Sequence, residues 1–559
     1  MPRLRHALMA MRQRLASGWV VALATVLLAL ILRLLGIRLG LPFFHHWDEV
    51  WVADNARKMA QTDDWEPSTY QYGAPLSAIA AWLFHMLSEH VPKWHIYDPG
   101  DGILMRRLCR LVTAVISSSG AAGVYVAARG AAFGDRAGRI RGVYAAVLYA
   151  TAAELVSHGR YGVTDADLVA LVAWSLAACT LFLRSGSLLW AAATVALAGC
   201  AFAFKVTAIT ALAIPAIALT LRPVTIPRLP EPAAARIVAL LALPAAFGVF
   251  LLLNPHVIVH WHRALGNIQA RALQTIEGGF PLFLLRTPGW DHVESVLSGI
   301  VLMAFHRWTV PAVVAAVCAF AGLARALQAR NGICIVGAVQ ATVAILAIAL
   351  TSRAYLFRNY LVVLPVLCIG FGFAMEALTA RWETWANLRS HGSVARVPWL
   401  PVGFALVYVV VPAWQAVRAQ QLSSDARMRA VDWIAAAAQA GGHDVSVACT
   451  PAILSQGSFT QDYLRGWLKR PGIAFAPDVK DAAEAQRSHA DYLVVVSSPD
   501  EAGDWGDIWP FREIPGYRVA ATFEANPYEH RFDITSTWAG RFNVIVLERP
   551  GAEAPPHGA

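Results

Sequence analysis

Charge is scarce in this chain: Asp, Glu, Lys and Arg make up 15% of 559 residues, against 57% hydrophobic residues and a mean hydropathy of +0.48. A soluble protein of this size needs far more charge to cover its surface, so the shortage points to the membrane class. Cysteine is sparse and poorly placed for cross-linking. Of seven cysteines, Cys109, Cys179, Cys200, Cys318, Cys334 and Cys368 fall in or beside apolar runs and only Cys449 lies in the polar C-terminal part, which argues against a disulfide framework. No internal repeat is visible, and no His/Cys/Asp spacing is diagnostic of a metal centre. A cleavage site of small residues is also missing after the first apolar run, Gly18–Leu39. That run follows Arg3, Arg5, Arg12 and Arg14 and has further spans behind it, so it is read as a retained signal-anchor.

What is present in quantity is apolar sequence of membrane-crossing length. Hydropathy gives about eleven spans: Gly18–Leu39, Leu108–Arg129, Gly142–Ser157, Leu168–Leu183, Leu188–Phe204, Thr207–Leu221, Ile237–Leu253, Thr309–Leu327, Cys334–Leu350, Tyr360–Leu378 and Pro398–Val417. The expected fold is an α-helical polytopic membrane protein. The formal net charge of +9 conceals an asymmetry: residues from Asp425 onward carry −6 and the preceding part +15. The positive-inside rule explains this basic excess better than nucleic-acid binding does. Arg129, Arg136, Arg139 and Arg141, then Arg184, then Arg222, Arg228 and Arg236, then Arg325 and Arg330, then Arg381, Arg389 and Arg396 all fall on the side of the basic N-terminus. That side is taken as cytoplasmic, which places the C-terminal segment outside the plasma (inner) membrane, facing the periplasm.

The opposite side carries the long loops. Residues 42–107 are rich in Trp, His, Asp and Pro and hold an amphipathic stretch, Pro75–Leu87, too short to span and suited to the interface. Residues 254–298 form a second loop, with His256, His260, Trp261 and His262 near its start and Gly278, Gly279 and Pro281 breaking helical periodicity. The transmembrane domain is therefore assigned to residues 1–424. From Asp425 the pattern changes: a helix over Asp425–Ala440 stopped by Gly441-Gly442, then β-branched runs at Val445–Ala448, Tyr492–Val496 and Phe542–Leu547. Residues 425–549 are expected to form a small extracytoplasmic α/β domain, and 550–559 a disordered tail. Trp505, Trp509 and Trp538 in it are suited to stacking on a sugar or to filling a core.

Four polar constellations fall at outer span ends. His45-His46-Trp47-Asp48-Glu49 follows the first span, and two adjacent carboxylates at a membrane surface must be solvated, paired or bound to a cation. Gly159–Asp167 makes a short outer connection that fixes Asp165 at the mouth of the bundle, where it can act as a base; alternatively Thr164 caps a helix and Asp165 and Asp167 complement its dipole. Lys205 sits at an outer turn between two apolar runs, where it either snorkels or meets an anion. Arg353 and Arg358 stand on the side the positive-inside rule disfavours, which suggests phosphate or carboxylate partners.

This order of motifs resembles the C-type (GT-C) glycosyltransferase superfamily, and within it the protein O-mannosyltransferase and aminoarabinose-transferase relatives. The resemblance is carried by Asp48-Glu49 closing the first span, by Pro75-Leu76 opening an interfacial helix, by Arg160–Asp165 ending in Thr-Asp, by Lys205 after an apolar span, and by Arg358-Asn359-Tyr360-Leu361 with Pro365. The sequence departs from the pattern where Asn359 interrupts Arg-Tyr, where Asp167 replaces a frequent Pro, and in lacking a Lys near Tyr70–Tyr72. The resemblance implies a polyprenyl-phosphate sugar donor, an acceptor hydroxyl on a lipid, glycan or protein, and inverting transfer. From the residues themselves, Asp48 is the expected base and Asp165 a group orienting the acceptor or a divalent metal ion, with His256 either a further metal or phosphate ligand or a solvated loop residue. Glu49, Arg160, Lys205, Arg353, Arg358 and Tyr360 form the expected phosphate- and substrate-binding set, Glu49 through a neighbouring cation. A secondary transporter and a non-catalytic scaffold are the rival classes; a transporter places its charges near mid-membrane.

Overall fold

The computed structural model describes residues 2–38, 47–68, 70, 73–90, 102–130, 135–222, 231–277, 285–389, 399–421, 426–442, 444–449, 473–475, 479, 482–497, 514–523 and 543–550. His45, His46, Tyr72, Gly278, Gly279, Pro281, Trp505, Trp509, Trp538 and the tail after Pro550 lie outside them. The chain divides into two compact units, one comprising Met1–Ile37, Asp48–Tyr97 and Leu104–Ala416, the other built mainly from Val417–Ala559.

The first unit is helical. Helix α1 (Pro2–Leu34) stops short of the expected Leu39, and Gly36 turns the chain at φ +114°, a conformation open to glycine. The first long loop is itself largely helical, with α2 (Trp47–Thr62) and α3 (Pro75–His90), the latter starting at Pro75, whose missing N–H costs nothing in a first turn. Next come α4 (Gly102–Arg129) and α5 (Arg136–Thr151), capped by Asp135 through the amides of Ala137 and Gly138. The expected span Gly142–Ser157 is not one helix: α5 ends at Thr151, Ala152 adopts ψ 123°, and α6 (Ala153–His158) restarts.

After α7 (Thr164–Ser185) and α8 (Leu188–Phe204), a 3₁₀ segment over Val206–Leu212 leads into α9 (Ala213–Leu221) and then α10 (Glu231–Leu253). The second long loop also folds, into α11 (His256–Val259), α12 (Trp261–Glu277) and the start of α13 (Trp290–Leu302). The unit is completed by α14 (Thr309–Gln328), α15 (Gly332–Ala349), a 3₁₀ segment over Phe357–Val363, α16 (Leu364–Arg389), α17 (Trp399–Ala405), a π turn over Leu406–Val410 and α18 (Val411–Gln421).

Among the described residues, six helical stretches are long and apolar enough to cross a bilayer: Leu104–Arg129, Thr164–Ser185, Thr309–Gln328, Gly332–Ala349, Phe357–Trp385 and Leu400–Arg418. Shorter apolar helices cover Gly18–Leu34, Leu188–Phe204, Val206–Leu221 and Leu240–Leu253, so every expected span except Gly142–Ser157 coincides with an apolar helix. Leu240, Leu252 and Val310 are exposed by 75%, 78% and 74%, an outward apolar face that suits lipid and not water. Inside, small residues let backbones touch: a Cβ on Gly322 of α14 would run into the carbonyl of Gly370 on α16, and one on Gly123 of α4 would meet Ala173 of α7 at 2.9 Å.

The second unit has α19 (Ala426–Gly441) and a five-stranded sheet of β1 (Val445–Cys449), β2 (Ile473–Phe475), β3 (Tyr492–Ser497), β4 (Arg518–Phe523) and β5 (Asn543–Glu548), in the order β2-β1-β3-β5-β4. The β1 pairings are parallel and the β5 pairings antiparallel. Val447, Val494 and Val546 pack with Ile434 of α19 in one core; Leu493, Val495 and Leu547 pack with Ala485 of α20 (Ala482–Ser488) in another. Covering both faces explains why the central strands are apolar at consecutive positions.

Candidate active site

The site is assembled from helix ends. Asp48 and Glu49 lie in the first turn of α2, and Asp165 and Asp167 in the first turn of α7, where the aligned peptide dipoles favour negative charge. Thr164 does not cap α7: Val163 occupies the cap position, without a side-chain bond, and Thr164 is already helical. What holds the acids in place is a set of cations brought in from other elements.

Glu49 and Arg110 of α4 form a bidentate pair, with Arg110 Nε 2.5 Å from Oε1 and Nη2 2.8 Å from Oε2, and neither side chain reaches solvent. Arg110 Nη1 also donates to the Ile37 carbonyl at 2.8 Å, and the Gly162 amide donates to Glu49 Oε1 at 3.2 Å. The guanidinium lies 5.5 Å from the centre of the Tyr161 ring. Glu49 is thus the joint at which α2, α4 and the turn before α7 meet.

Two further pairs stand beside it. Lys205 Nζ lies 2.6 Å from Asp165 Oδ1, and Arg358 Nη2 lies 3.2 Å from Asp48 Oδ2 and 3.4 Å from its Oδ1. Asp48, Asp165 and Lys205 are buried. Arg358 and Asp48 both act electrostatically on Asp165, so the two pairs form one four-charge group. Asp165 supplies Lys205 with a counter-charge inside the protein.

Backbone contacts fix Lys205. The Gly73 amide donates to the Phe204 carbonyl at 3.1 Å, and a Cβ at Gly73 would collide with the Ala203 carbonyl. Asn254 spans the joint, accepting from the Ala74 amide at 2.9 Å and donating to the Ala203 carbonyl at 3.2 Å. The Gly73-Ala74-Pro75-Leu76 element therefore docks on the C-terminus of α8. A second clamp centres on Glu66, which pairs with Arg263 at 3.1 Å, faces His260 at 3.7 Å and accepts a very short hydrogen bond from the Tyr70 hydroxyl. The Tyr70 bond holds the Glu66 carboxyl below the usual glutamate range, while burial and then Glu66 itself push the Tyr70 hydroxyl up to about 12.

The remaining expected residues are distributed unevenly. Arg160 is buried, and its Nε and Nη2 donate to the Leu32 carbonyl, each at 3.3 Å. The Tyr360 hydroxyl bonds His292 Nε2 at 2.8 Å, and His292 Nδ1 bonds the Ser352 carbonyl at 2.9 Å. A carbonyl only accepts, so Nδ1 carries a proton, and in the neutral ring Nε2 receives the Tyr360 hydroxyl. Arg353 is not brought to the acids: its side chain is exposed, and its backbone pairs with Thr275 and Arg286. His256 opens α11, half-buried, within electrostatic range of Asp64. Among the described residues, no three His, Cys, Asp or Glu side chains are grouped to hold a metal, so His256 does not join Asp48 and Asp165 as a ligand set.

No protein-family profile and no curated protein matches this sequence. Similar solved structures exist. ArnT from Cupriavidus metallidurans in the apo state is 15% identical with a TM-score of 0.47, covering 95% of this chain and 98% of that one. The same protein bound to undecaprenyl phosphate is 15% identical with a TM-score of 0.43, covering 97% and 100%. The Archaeoglobus fulgidus oligosaccharyltransferase in the apo form is 12% identical with a TM-score of 0.42, covering 85% and 69%. Likenesses at this level establish no family.

Several residues of the site escape sequence reasoning. Arg33 is buried in α1, donating from Nε to Ser117 Oγ at 2.9 Å and from Nη1 to the Ala29 and Ala150 carbonyls. Thr113 Oγ1 donates to the already expected Asp167 at 3.2 Å, and Glu154 and His158 face each other at 3.5 Å with no exposure. Arg33, Arg110 and Glu154 were visible as charges inside or beside apolar runs, where an ionisable residue marks a buried partner. Asn254 and His292 carried no such signal.

Proposed function

We propose that this chain is a membrane glycosyltransferase that takes a sugar from a polyprenyl-phosphate donor and passes it, with inversion, to an acceptor hydroxyl on a lipid, glycan or protein. The observation that supports this best is the four-charge group of Asp48 with Arg358 and Asp165 with Lys205, placed at helix ends. In the resting protein each carboxylate neutralises a cation. An arriving phosphate draws Arg358 and Lys205 toward itself and leaves a carboxylate free to take a proton. The acceptor oxygen then bonds to the anomeric carbon, Asp48 takes its proton, and the C–O bond to phosphate breaks with its electron pair going to the phosphate oxygen. Arg358 and Lys205 stabilise that leaving charge, and Asp165 orients the acceptor and holds Lys205. Arg353 is left out of this set. A divalent ion would compete with Lys205 and Arg358 for the same oxygens.

A transporter would carry its functional charges on broken helices near the bilayer midplane, whereas these pairs sit in the first turns of α2 and α7, just past α8 and before α16. Charge asymmetry orients the reaction to the extracytoplasmic side, with the N-terminus cytoplasmic. The test is release of free polyprenyl phosphate from a labelled donor by the purified full-length chain. Asp48→Asn should lower turnover by about 10²–10⁴-fold, far more than the fraction of chain that unfolds once Arg358 loses its partner. Turnover close to wild type would remove Asp48 as the base, and a wild-type chain that releases nothing would end the glycosyltransferase reading.

A further inference from the structure

Arg358 reaches Asp48 from the 3₁₀ segment Phe357–Val363, and the chain that leads into it, residues 352–356, runs outside any helix. Backbone without a ladder of its own has to be held by something else. One face of α13 does this. His292, Ser295 and Gly299 recur at helical spacing and meet the stretch in order. His292 Nδ1 donates to the Ser352 carbonyl at 2.9 Å and its Nε2 accepts from the Tyr360 hydroxyl at 2.8 Å. The Ser295 carbonyl accepts from the Tyr355 hydroxyl at 2.9 Å. A Cβ at Gly299 would lie 2.7 Å from both the Phe357 ring and the Tyr355 hydroxyl, so the absence of a side chain lets them this close. His292, Ser352, Tyr355, Phe357 and Tyr360 are all buried.

His292 is the part of this face that grips both ends of residues 352–360, with Arg358 between them. In a 3₁₀ turn the side chains of residues i and i+3 eclipse, so Phe357 and Tyr360 face α13 together. Arg358, one step on from Phe357, is turned about 120° away from them, and its guanidinium meets Asp48 at 3.2 Å. The direction of Arg358 is therefore set by how firmly Tyr360 is seated, and His292 seats it. The ring lies nearly edge-on to Tyr360 and to Tyr355, with centroids 5.8 Å and 5.6 Å away, so it packs as well as bonds. A guanidinium that leaves Asp48 for a phosphate can swing its side chain usefully only if its backbone stays in place.

We propose that His292 is a positioning residue for Arg358: by bonding the Ser352 carbonyl and the Tyr360 hydroxyl at once, it fixes the backbone from which Arg358 reaches Asp48 and then the donor phosphate. The placement against Asp48 stands by itself; the action on the phosphate rests on the glycosyltransferase reading. Two measurements on the full-length protein separate them. The first is thermal unfolding without substrate. Arg358→Gln should lower the melting temperature of the otherwise wild-type chain and shift it much less in a His292→Leu background; Tyr360→Phe, which removes only the hydroxyl, serves as the background if His292→Leu does not fold. Equal shifts in both backgrounds would overturn the proposal. The second is release of polyprenyl phosphate from a labelled donor. His292→Leu should lower kcat/KM about tenfold or more, and His292→Asn, which can keep the Ser352 bond, should lose less. Neither should lower it further once Arg358→Gln is present. Losses that multiply with that of Arg358→Gln would make His292 a packing residue alone and overturn the proposal. A wild-type chain that releases nothing would end the glycosyltransferase reading, and the unfolding comparison then decides the placement.

Discussion

Lys205, just past the end of α8, and Asp165, in the first turn of α7, meet at 2.6 Å with both side chains buried. A charge in such a place is tolerated only while its partner is present. Lys205→Met should therefore strand a dry carboxylate and destabilise the protein by about 3–5 kcal/mol. The double variant Lys205→Met/Asp165→Asn should regain most of that stability and none of the transferase turnover. Thermal unfolding and donor cleavage, measured on the same preparations, separate the two effects. A double variant as unstable as the single one would show that the pair does not act as a unit.

The Glu49–Arg110 pair should behave differently, because it makes more bonds and faces no open space. Arg110→Leu is expected to cost about 3–5 kcal/mol, since it leaves Glu49 with only the Gly162 amide among its described hydrogen bonds. Any loss of turnover in Glu49→Gln should scale with the fraction of chain that remains folded. A Glu49→Gln protein that melts like wild type yet is inactive would move Glu49 from the scaffold into the chemistry.

Gly73 and Asn254 hold the first loop against the end of α8. Gly73→Ala drives a Cβ into the Ala203 carbonyl, which is backbone and cannot turn aside, and should cost about 1–3 kcal/mol. Asn254→Ala leaves the Ala74 amide and the Ala203 carbonyl without the side chain that joins them, for a similar loss of about 1–3 kcal/mol. Both positions lie next to the turn carrying Lys205, so turnover should fall more than stability does. Melting temperature and single-turnover rate provide the comparison.

Acid should loosen the loop through Glu66. Its proton affinity is lowered on folding, first by the Tyr70 hydroxyl and then by the charges of His260 and Arg263, so its contribution is complete above the ordinary value of 4.5 and disappears as pH falls through the lower folded value. Glu66→Gln should flatten the acid side of a melting-temperature profile, and Tyr70→Phe should narrow the window. Profiles that superimpose would mean the clamp contributes nothing to stability.

Much was legible in the sequence because bilayer physics writes itself in composition. About twenty apolar residues are a span wherever they fall, so the helices recur close to where hydropathy put them. The one failure, Gly142–Ser157, lies where Ala152 leaves the helical region, and no proline or glycine marks that break. In the second unit, the expected helix and the runs at Val445, Tyr492 and Phe542 match α19, β1, β3 and β5 closely. The strands β2 and β4 were missed: Ile473–Phe475 is three residues long, and Arg518–Phe523 borders the sheet with a half-exposed pattern.

For the site, the sequence alone determined which charges stand at span ends, because a charge in an apolar run is conspicuous whatever the fold. Tertiary structure alone decided the partnerships. Asp48 with Arg358, Glu49 with Arg110 and Asp165 with Lys205 are separated by tens to hundreds of residues, and hydropathy carries no record of which helix lies against which. The pairing follows from the need of each buried charge for a counter-charge within about 4 Å, a condition satisfied only once the helices are packed.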